Sequence, residues 1–134
     1  MGLDYGEKRI GVAISDPTGF LAQPLKTIHY QSQKEAIEEI CQLVEAHQVA
    51  EVVLGLPLTL AGGDSRKTRE VREFAEKLRA KLPVPLKLLD ERLTTRQAHQ
   101  VLRQMGKKPG KHRDIVDQIA AQYILQTFLD RGVR

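Results

Sequence analysis

Apolar and polar residues alternate along the first sixteen positions, in the pattern of two short half-buried strands joined by a tight turn. The first strand carries Leu3 and Tyr5 on one face, and the second carries apolar residues at alternate positions over 10–14. A third strand is predicted over 22–28. Because Pro24 cannot donate to a neighbouring strand, this third strand is expected at an edge of the sheet.

The rest of the pattern predicts helices alternating with strands. Ser32 is a suitable N-cap for a first helix, and the continuous apolar run over 51–57 is typical of a buried central strand. A second helix, a strand over 84–89 and two further helices follow. Three antiparallel strands, then strands reached through helical crossovers, predict an α/β fold: a mixed sheet flanked by helices, in one domain over 1–134.

Length and composition exclude several classes of protein. The chain has 134 residues, 41% hydrophobic and 28% charged, and it contains no apolar run of the ~20 residues that span a bilayer. Its N-terminus lacks the pattern of a secretory signal. The single cysteine, Cys41, is expected to be a small core residue and cannot form an internal disulfide. We therefore expect a cytoplasmic protein without membrane association.

Charge is distributed unevenly along the chain. Residues 1–64 carry four Lys/Arg against nine Asp/Glu, whereas residues 65–134 carry seventeen against eight. A basic half suggests a polyanionic partner such as nucleic acid, although a solvated basic surface explains the charge equally well. Aromatic residues make up only 4% and Trp is absent, which argues against a base-stacking platform.

Acidic residues follow strands at three places along the chain. Asp4 lies between Leu3 and Tyr5 and points to the opposite face, where an isolated carboxylate is costly unless a metal ion, a basic partner or a solvent-lined cleft compensates it. The pair 90–91 (Asp-Glu) follows a later strand, and Asp117 lies near the beginning of the last helix. Sites in sheets of this kind form at the carboxyl ends of the parallel strands.

Three carboxylates in one cleft would repel one another by ~4 kcal/mol per close pair at an effective dielectric near 20. Bound Mg²⁺ or Mn²⁺ would remove that cost. There are simpler interpretations. Asp114 and Asp117 are favourable at a helix N-terminus through the helix dipole, and Asp90 could pair with Arg92.

Four segments together resemble the YqgF (RuvX) family of bacterial RNase H-like resolvases and pre-16S rRNA nucleases. They occur in the family's order and spacing, and the resemblance covers essentially the whole chain. The segments are GLDYGEKRIGVA at 2–13, VLGLPL at 53–58, DERLTT at 90–95 and VDQIAA at 116–121. None is specific alone, but the set of four is.

The resemblance implies an RNase H-like fold with a five-stranded mixed sheet. It also implies a catalytic site in which Asp4, Glu91 and Asp117 bind two Mg²⁺ or Mn²⁺ ions. Glu91 is favoured over Asp90 as the second acid, because the fourth strand, where other members of this fold carry that acid, ends here without one. Asp114 is a secondary acidic candidate. Family members usually have several residues before the opening motif. Met1 directly precedes Gly2 here, so the first strand is expected to be short or to begin upstream.

The implied function is metal-dependent hydrolysis of phosphodiester bonds, with processing of the 5′ end of pre-16S rRNA as the expected reaction. Resolution of four-way DNA junctions and non-catalytic nucleic-acid binding remain alternatives, as does action as a monomer or a homodimer. The Asp-x-Gly turn at 4–6 is also found in actin-like ATPases, but those enzymes need two such domains. Each long cation near these motifs is explained equally well as a phosphate contact or as a solvated surface group. The expected contacts to substrate phosphates are Lys8, Arg9, Arg92, Lys107, Lys108, Lys111 and Arg113.

Overall fold

A computed structural model describes residues 1–94, 96–106 and 113–131. The elements follow one another in the predicted order, strand, strand, strand, helix, strand, helix, strand, helix, helix. They are β1 (Gly2–Tyr5), β2 (Arg9–Ser15), β3 (Ala22–His29), α1 (Gln33–Ala46), β4 (Val52–Leu56), α2 (Arg66–Arg79), β5 (Leu86–Asp90), α3 (Arg96–Gly106) and α4 (Arg113–Asp130). A single 3₁₀ turn over Glu91–Leu93 separates β5 from α3, which the sequence pattern did not predict.

The five strands form one mixed sheet in the order β3-β2-β1-β4-β5. β1 pairs antiparallel with β2 and parallel with β4, and β2 and β3 are antiparallel. This confirms the predicted topology, and Pro24 lies in the edge strand β3, where its missing N–H costs least. β5 begins two residues later than predicted and extends to Asp90, which therefore ends the strand.

One face of the sheet carries the main core. Leu3 and Tyr5 of β1 point to this face, where the apolar sides of α1 and α2 cover them. The ring of Tyr5 stacks on Phe74 of α2 with the ring centroids 4.3 Å apart. The predicted cap at Ser32 is confirmed, since its side chain accepts a hydrogen bond from the Glu35 backbone N–H at the beginning of α1.

The other face of the sheet is covered by α4 at close range. A Cβ built on Gly11 of β2 would overlap the backbone of Asp117 in α4, so only glycine permits this approach. Farther along the helix, Ala121 and Leu125 pack on small residues of the sheet. Because Leu3 and Tyr5 face the other layer, Asp4 is directed to the α4 side.

Helix α2 is attached to the carboxyl end of β4. Ser65 caps it in a reciprocal capping box with Thr68. The buried Thr68 hydroxyl also donates a hydrogen bond to the carbonyl of Pro57, directly after β4. These bonds hold the first turn of α2 beside the carboxyl ends of the parallel strands β1 and β4. None of the helices in the described part of the chain is both long enough and apolar enough to cross a bilayer.

Candidate active site

Asp4 lies in the central strand β1, and each of the two neighbouring strands has a glycine beside it. Its cross-strand partner on β2 is Gly11, and on the other side Gly55 of β4 is on the same face, two residues beyond the partner of Gly2. Because glycine has no side chain, other elements approach the sheet closely on both sides of Asp4: the Asp117 backbone lies over Gly11 and the Glu91 side chain over Gly55. Burial raises the pKa of Asp4 to about 7, with smaller contributions from the negative charges of Glu91 and Asp117.

Glu91 reaches the same face from the 3₁₀ turn after β5. Its side chain packs over Gly55, where an added Cβ would lie 3.1 Å from both Cγ and Cδ of Glu91. Burial raises the pKa of Glu91, and the charge of Asp90 adds to the effect. Two carboxyl groups with raised pKa values, Asp4 and Glu91, therefore lie close enough to influence each other.

Asp117 approaches from the second turn of α4. Its Oδ2 accepts a hydrogen bond from Arg9 Nε at 2.7 Å, and this bond raises the pKa of Arg9. The beginning of α4 is fixed by β3, since Thr27 Oγ1 donates to the Asp114 carbonyl at 2.8 Å and His29 Nε2 lies 2.9 Å from Asp114 Oδ2. Asp114 thus bonds to β3, while Asp117 lines a cleft that Asp4 also lines.

Asp90 takes a different role from its neighbour Glu91. Arg92 Nη2 donates to Asp90 Oδ2 at 2.7 Å and the Arg92 backbone N–H donates to Oδ1 at 2.9 Å. The guanidinium holds the pKa of Asp90 below its usual value. The pair between Asp90 and Arg92, considered from the sequence as the simpler interpretation, is therefore present. The side chain that packs over Gly55 is that of Glu91.

Lys67 is a site residue that the sequence patterns missed. It lies in the first turn of α2 and lines a cleft of about 360 Å³ together with Asp4, Arg9 and Asp117, which we call the acidic cleft. Its positive charge opposes the rise in pKa of both Asp4 and Glu91. The sequence signal that could have identified Lys67 is the capping pattern at 65–68, which places position 67 in the first turn of the helix that follows β4.

The donor chemistry of these residues fits a divalent cation. Asp4, Glu91 and Asp117 offer only carboxylate oxygens, the ligands that Mg²⁺ and Mn²⁺ prefer. Burial is the main cause of the raised pKa values of Asp4 and Glu91, so their ionised forms are costly unless a cation compensates them. Over 1–94, 96–106 and 113–131, no three His, Cys, Asp or Glu side chains are already placed to surround one ion. Asp117 in particular is bonded to Arg9.

The predicted phosphate contacts have varied positions. Lys8 is exposed at the rim of the acidic cleft, and Arg113 is exposed at the beginning of α4. Arg9 and Arg92 are each bonded to a carboxylate of this chain, Asp117 and Asp90 respectively. The remaining predicted contacts lie outside the described residues; they are Lys107, Lys108 and Lys111.

The sheet order β3-β2-β1-β4-β5, with helices on both faces, is that of an RNase H-like fold. Two solved structures share this fold at low sequence identity. "Thermus thermophilus RuvC structure" gives a TM-score of 0.56 at 13% identity, covering 98% of this chain and 95% of that one. "T. thermophilus RuvC in complex with Holliday junction substrate" gives 0.57 at 14% identity, covering 98% and 94%.

The chain belongs to the RuvX family, described as "Holliday junction resolvase", whose sequence profile matches residues 1–131. Relatives named "Putative pre-16S rRNA nuclease" include a protein of Clostridium novyi, 42% identical over 130 residues, which cover 97% of this chain and 96% of that protein. The relative of the same name from Chloroflexus aurantiacus is 45% identical, covering 97% and 85%. The family expected from the four motifs is confirmed.

Proposed function

We propose that this protein is a metal-dependent nuclease that hydrolyses phosphodiester bonds and processes the 5′ end of pre-16S rRNA. The observation that carries the proposal is the meeting of Asp4 and Glu91, two carboxyl groups with raised pKa values, beside Asp117. Membership of the RuvX family and the names of the relatives support a nuclease. We further propose that the protein acts in the cytoplasm.

Asp4, Glu91 and Asp117 would hold two Mg²⁺ or Mn²⁺ ions in this proposal. When bound, such ions supply Lewis-acid stabilisation of the charge that develops on the phosphate oxygens and lower the pKa of the attacking water. Asp4 lies at the centre of the set because β1 is the middle strand. Lys67 and the exposed Lys8 contribute positive charge at the rim, which attracts the substrate phosphate.

Branched DNA is the second candidate substrate. The fold neighbour whose title names a complex with Holliday junction supports it, as does the family description. We favour RNA because relatives at above 40% identity over nearly the whole chain are named for pre-16S rRNA, whereas the RuvC structures share only 13–14%. Assays of one preparation on both substrates, with Mg²⁺ and then Mn²⁺, separate the two.

The test is cleavage of a pre-16S rRNA fragment and a four-way DNA junction by Asp4→Asn, Glu91→Gln and Asp117→Asn. Each substitution keeps the size of the side chain but removes a charged ligand, and we expect a loss of activity greater than about a hundredfold. Asp90→Asn is the matched variant for Glu91→Gln, and we expect it to retain most activity because Asp90 pairs with Arg92.

Asp16→Asn is the control for substitution in general, because Asp16 accepts hydrogen bonds within the turn after β2, away from the acidic cleft. Circular dichroism checks that each variant is folded. Full activity of folded Asp4→Asn would contradict the proposed site. Tight RNA binding by the wild type without cleavage under either metal would instead support a non-catalytic binding protein.

A further inference from the structure

A second groove adjoins the acidic site on the α3 side. It has a volume of about 740 Å³ and runs between the loop after β4 and helix α3, with Glu91 as part of its lining. We call it the α3 groove. Glu91, one of the three carboxylates proposed to bind metal, therefore belongs to the lining of this groove and also packs over Gly55.

One wall of the α3 groove is basic. Arg96, His99, Gln100 and Arg103 all line it, and their spacing of three and four residues places them along one side of α3. The helix contains no Asp or Glu. Among the residues that the structure describes, neither Arg96 nor Arg103 has a carboxylate within ion-pair distance.

The opposite wall of the groove is apolar. Leu58 and Leu60 line it, and Leu60 is 96% exposed at the tip of its loop. The loop is nevertheless well braced, since the Thr59 and Gly63 backbones are hydrogen bonded at 2.9 Å and Arg92 Nη1 donates to the Leu60 carbonyl at 3.3 Å. A ligand that covered Leu60 would gain the free energy of removing its apolar surface from water.

The basic wall is connected directly to Glu91. The Thr94 hydroxyl donates a hydrogen bond to the Glu91 carbonyl at 2.7 Å, and the same oxygen lies 2.6 Å from His99 Nε2. The first turn of α3 is therefore fixed relative to the acid at the end of the groove. A ligand that contacts Arg96 and Arg103 is consequently aligned with the acidic site.

We propose that the α3 groove binds a single phosphodiester strand next to the bond that is cleaved, with Arg96 and Arg103 contacting its phosphates. This inference rests on the proposed nuclease function. Arg96 and Arg103 lie about 10 Å apart along the helix, the axial rise of about three nucleotides of one strand. Basic and apolar walls that face each other suit a strand whose phosphates lie on one side and whose unpaired bases lie on the other.

The test measures binding by the full-length protein, in Ca²⁺ to suppress cleavage, over a range of salt concentrations. The probes are a single-stranded RNA oligonucleotide, a DNA oligonucleotide of the same sequence, and a duplex. We expect Arg96→Gln and Arg103→Gln each to weaken single-strand binding about fivefold at 0.1 M salt and to reduce the slope of log K against log salt by about one. Arg131→Gln, which removes an exposed arginine beyond the far end of α4, is the matched control.

The variants should bind Mn²⁺ like the wild type, and in cleavage assays KM should rise while kcat is kept. If the double variant binds single strands as tightly as Arg131→Gln, the inference is wrong even when cleavage is normal. A larger loss on duplex than on single strand would also overturn it. If the wild type cleaves no substrate but the salt slopes change as expected, the groove assignment stands and the proposed nuclease function fails.

Discussion

Asp4 combines burial with two nearby negative charges, a combination that a residue packed only for stability would not have. Its two neighbouring strands carry Gly11 and Gly55 on the same face, so no side chain from the sheet fills the space beside the carboxyl group. Glu91 and Asp117 enter that space instead, and both charges oppose ionisation of Asp4. The chain tolerates this arrangement because Lys67 partly compensates it.

Lys67 gives the first residue-scale prediction. Its positive charge lowers the pKa of Asp4 and Glu91 relative to what burial alone would impose. Removing that charge in Lys67→Met should raise the pKa of Asp4 above its present value of about 7. Carbon-detected NMR titration of the Asp carboxyl groups in the metal-free protein measures this directly, and Asp4→Asn assigns the resonance.

Lys67→Arg is the matched variant, because it keeps the charge while changing the shape of the head group. We expect its Asp4 titration to stay close to that of the wild type. Equal titration midpoints in Lys67→Met and wild type would show that Lys67 does not act on the acidic cleft.

Candidate site residues could be selected from the sequence where a motif contained them. Asp4, Glu91 and Asp117 belong to three of the four segments that indicated the family. The pairing of Arg9 with Asp117 could not be predicted, because it joins side chains 108 positions apart in the chain. Lys67 lies in no motif, and only the attachment of α2 to the end of β4 places it in the cleft.

At the scale of elements, the approach of α4 to the sheet decides where Asp117 lies. The prediction concerns Gly11→Ala, since the added Cβ would overlap the Asp117 backbone. Helix α4 must then move outward or β2 must bend, and we expect a loss of about 1–3 kcal/mol in the free energy of unfolding. Because Asp117 moves with the helix, Mn²⁺ affinity should fall in the same variant.

Gly63→Ala is the control for this substitution. Gly63 lies in the exposed loop after β4, and the nearest atom to a Cβ there is Thr59 Oγ1 at 3.5 Å, an ordinary contact. Urea unfolding measures stability, and calorimetric titration measures metal affinity. A Gly11→Ala protein with the stability and Mn²⁺ affinity of Gly63→Ala would contradict the proposed role of close packing.

The order and type of the elements were predictable because their signals are local. Strand alternation, the cap at Ser32 and the apolar run of β4 each lie within a few residues. The 3₁₀ turn over Glu91–Leu93 was not predicted, because it depends on Asp90 accepting the Arg92 N–H at the end of β5. That short turn is what directs Asp90 to Arg92 and Glu91 over Gly55.

At the scale of the whole molecule, the acidic site is a source of instability in the metal-free protein. Asp4 has an ordinary pKa of 3.8 and a folded-state pKa of about 7. Between these values the folded state keeps a proton that the unfolded state has released, so stability falls as pH rises through this range. Below pH 4 and above pH 7, the ionisation of Asp4 no longer changes the free energy of unfolding as the pH changes. Glu91 shifts in the same direction.

Other groups act in different pH ranges or in the opposite direction. The lowered pKa values of Asp16 and Asp90 add stability as pH rises, and this gain is complete near pH 5, where the same groups are also ionised in the unfolded state. The pKa of the buried Met1 amino group is lowered to about 6, which adds stability from pH 6 to 8. Comparing wild type with Asp4→Asn cancels these contributions, since both proteins share them.

We therefore predict that Asp4→Asn gains stability relative to the wild type as pH rises from 4.5 to 7.5. The gain should be about 3 kcal/mol, because this pH range covers somewhat more than two of the roughly three units between the two pKa values. Urea unfolding in the presence of EDTA measures this difference in stability. The control is Asp16→Asn, whose stability should depend on pH in the same way as that of the wild type over this range. Millimolar Mn²⁺ should make the wild type the more stable of the two proteins at pH 7.5. An ion that binds the folded wild type stabilises it, whereas Asp4→Asn lacks one of the ligands for that ion. Parallel pH profiles for wild type and Asp4→Asn would show that Asp4 is not strained by its surroundings, and the main physical argument for a cation at this site would be lost.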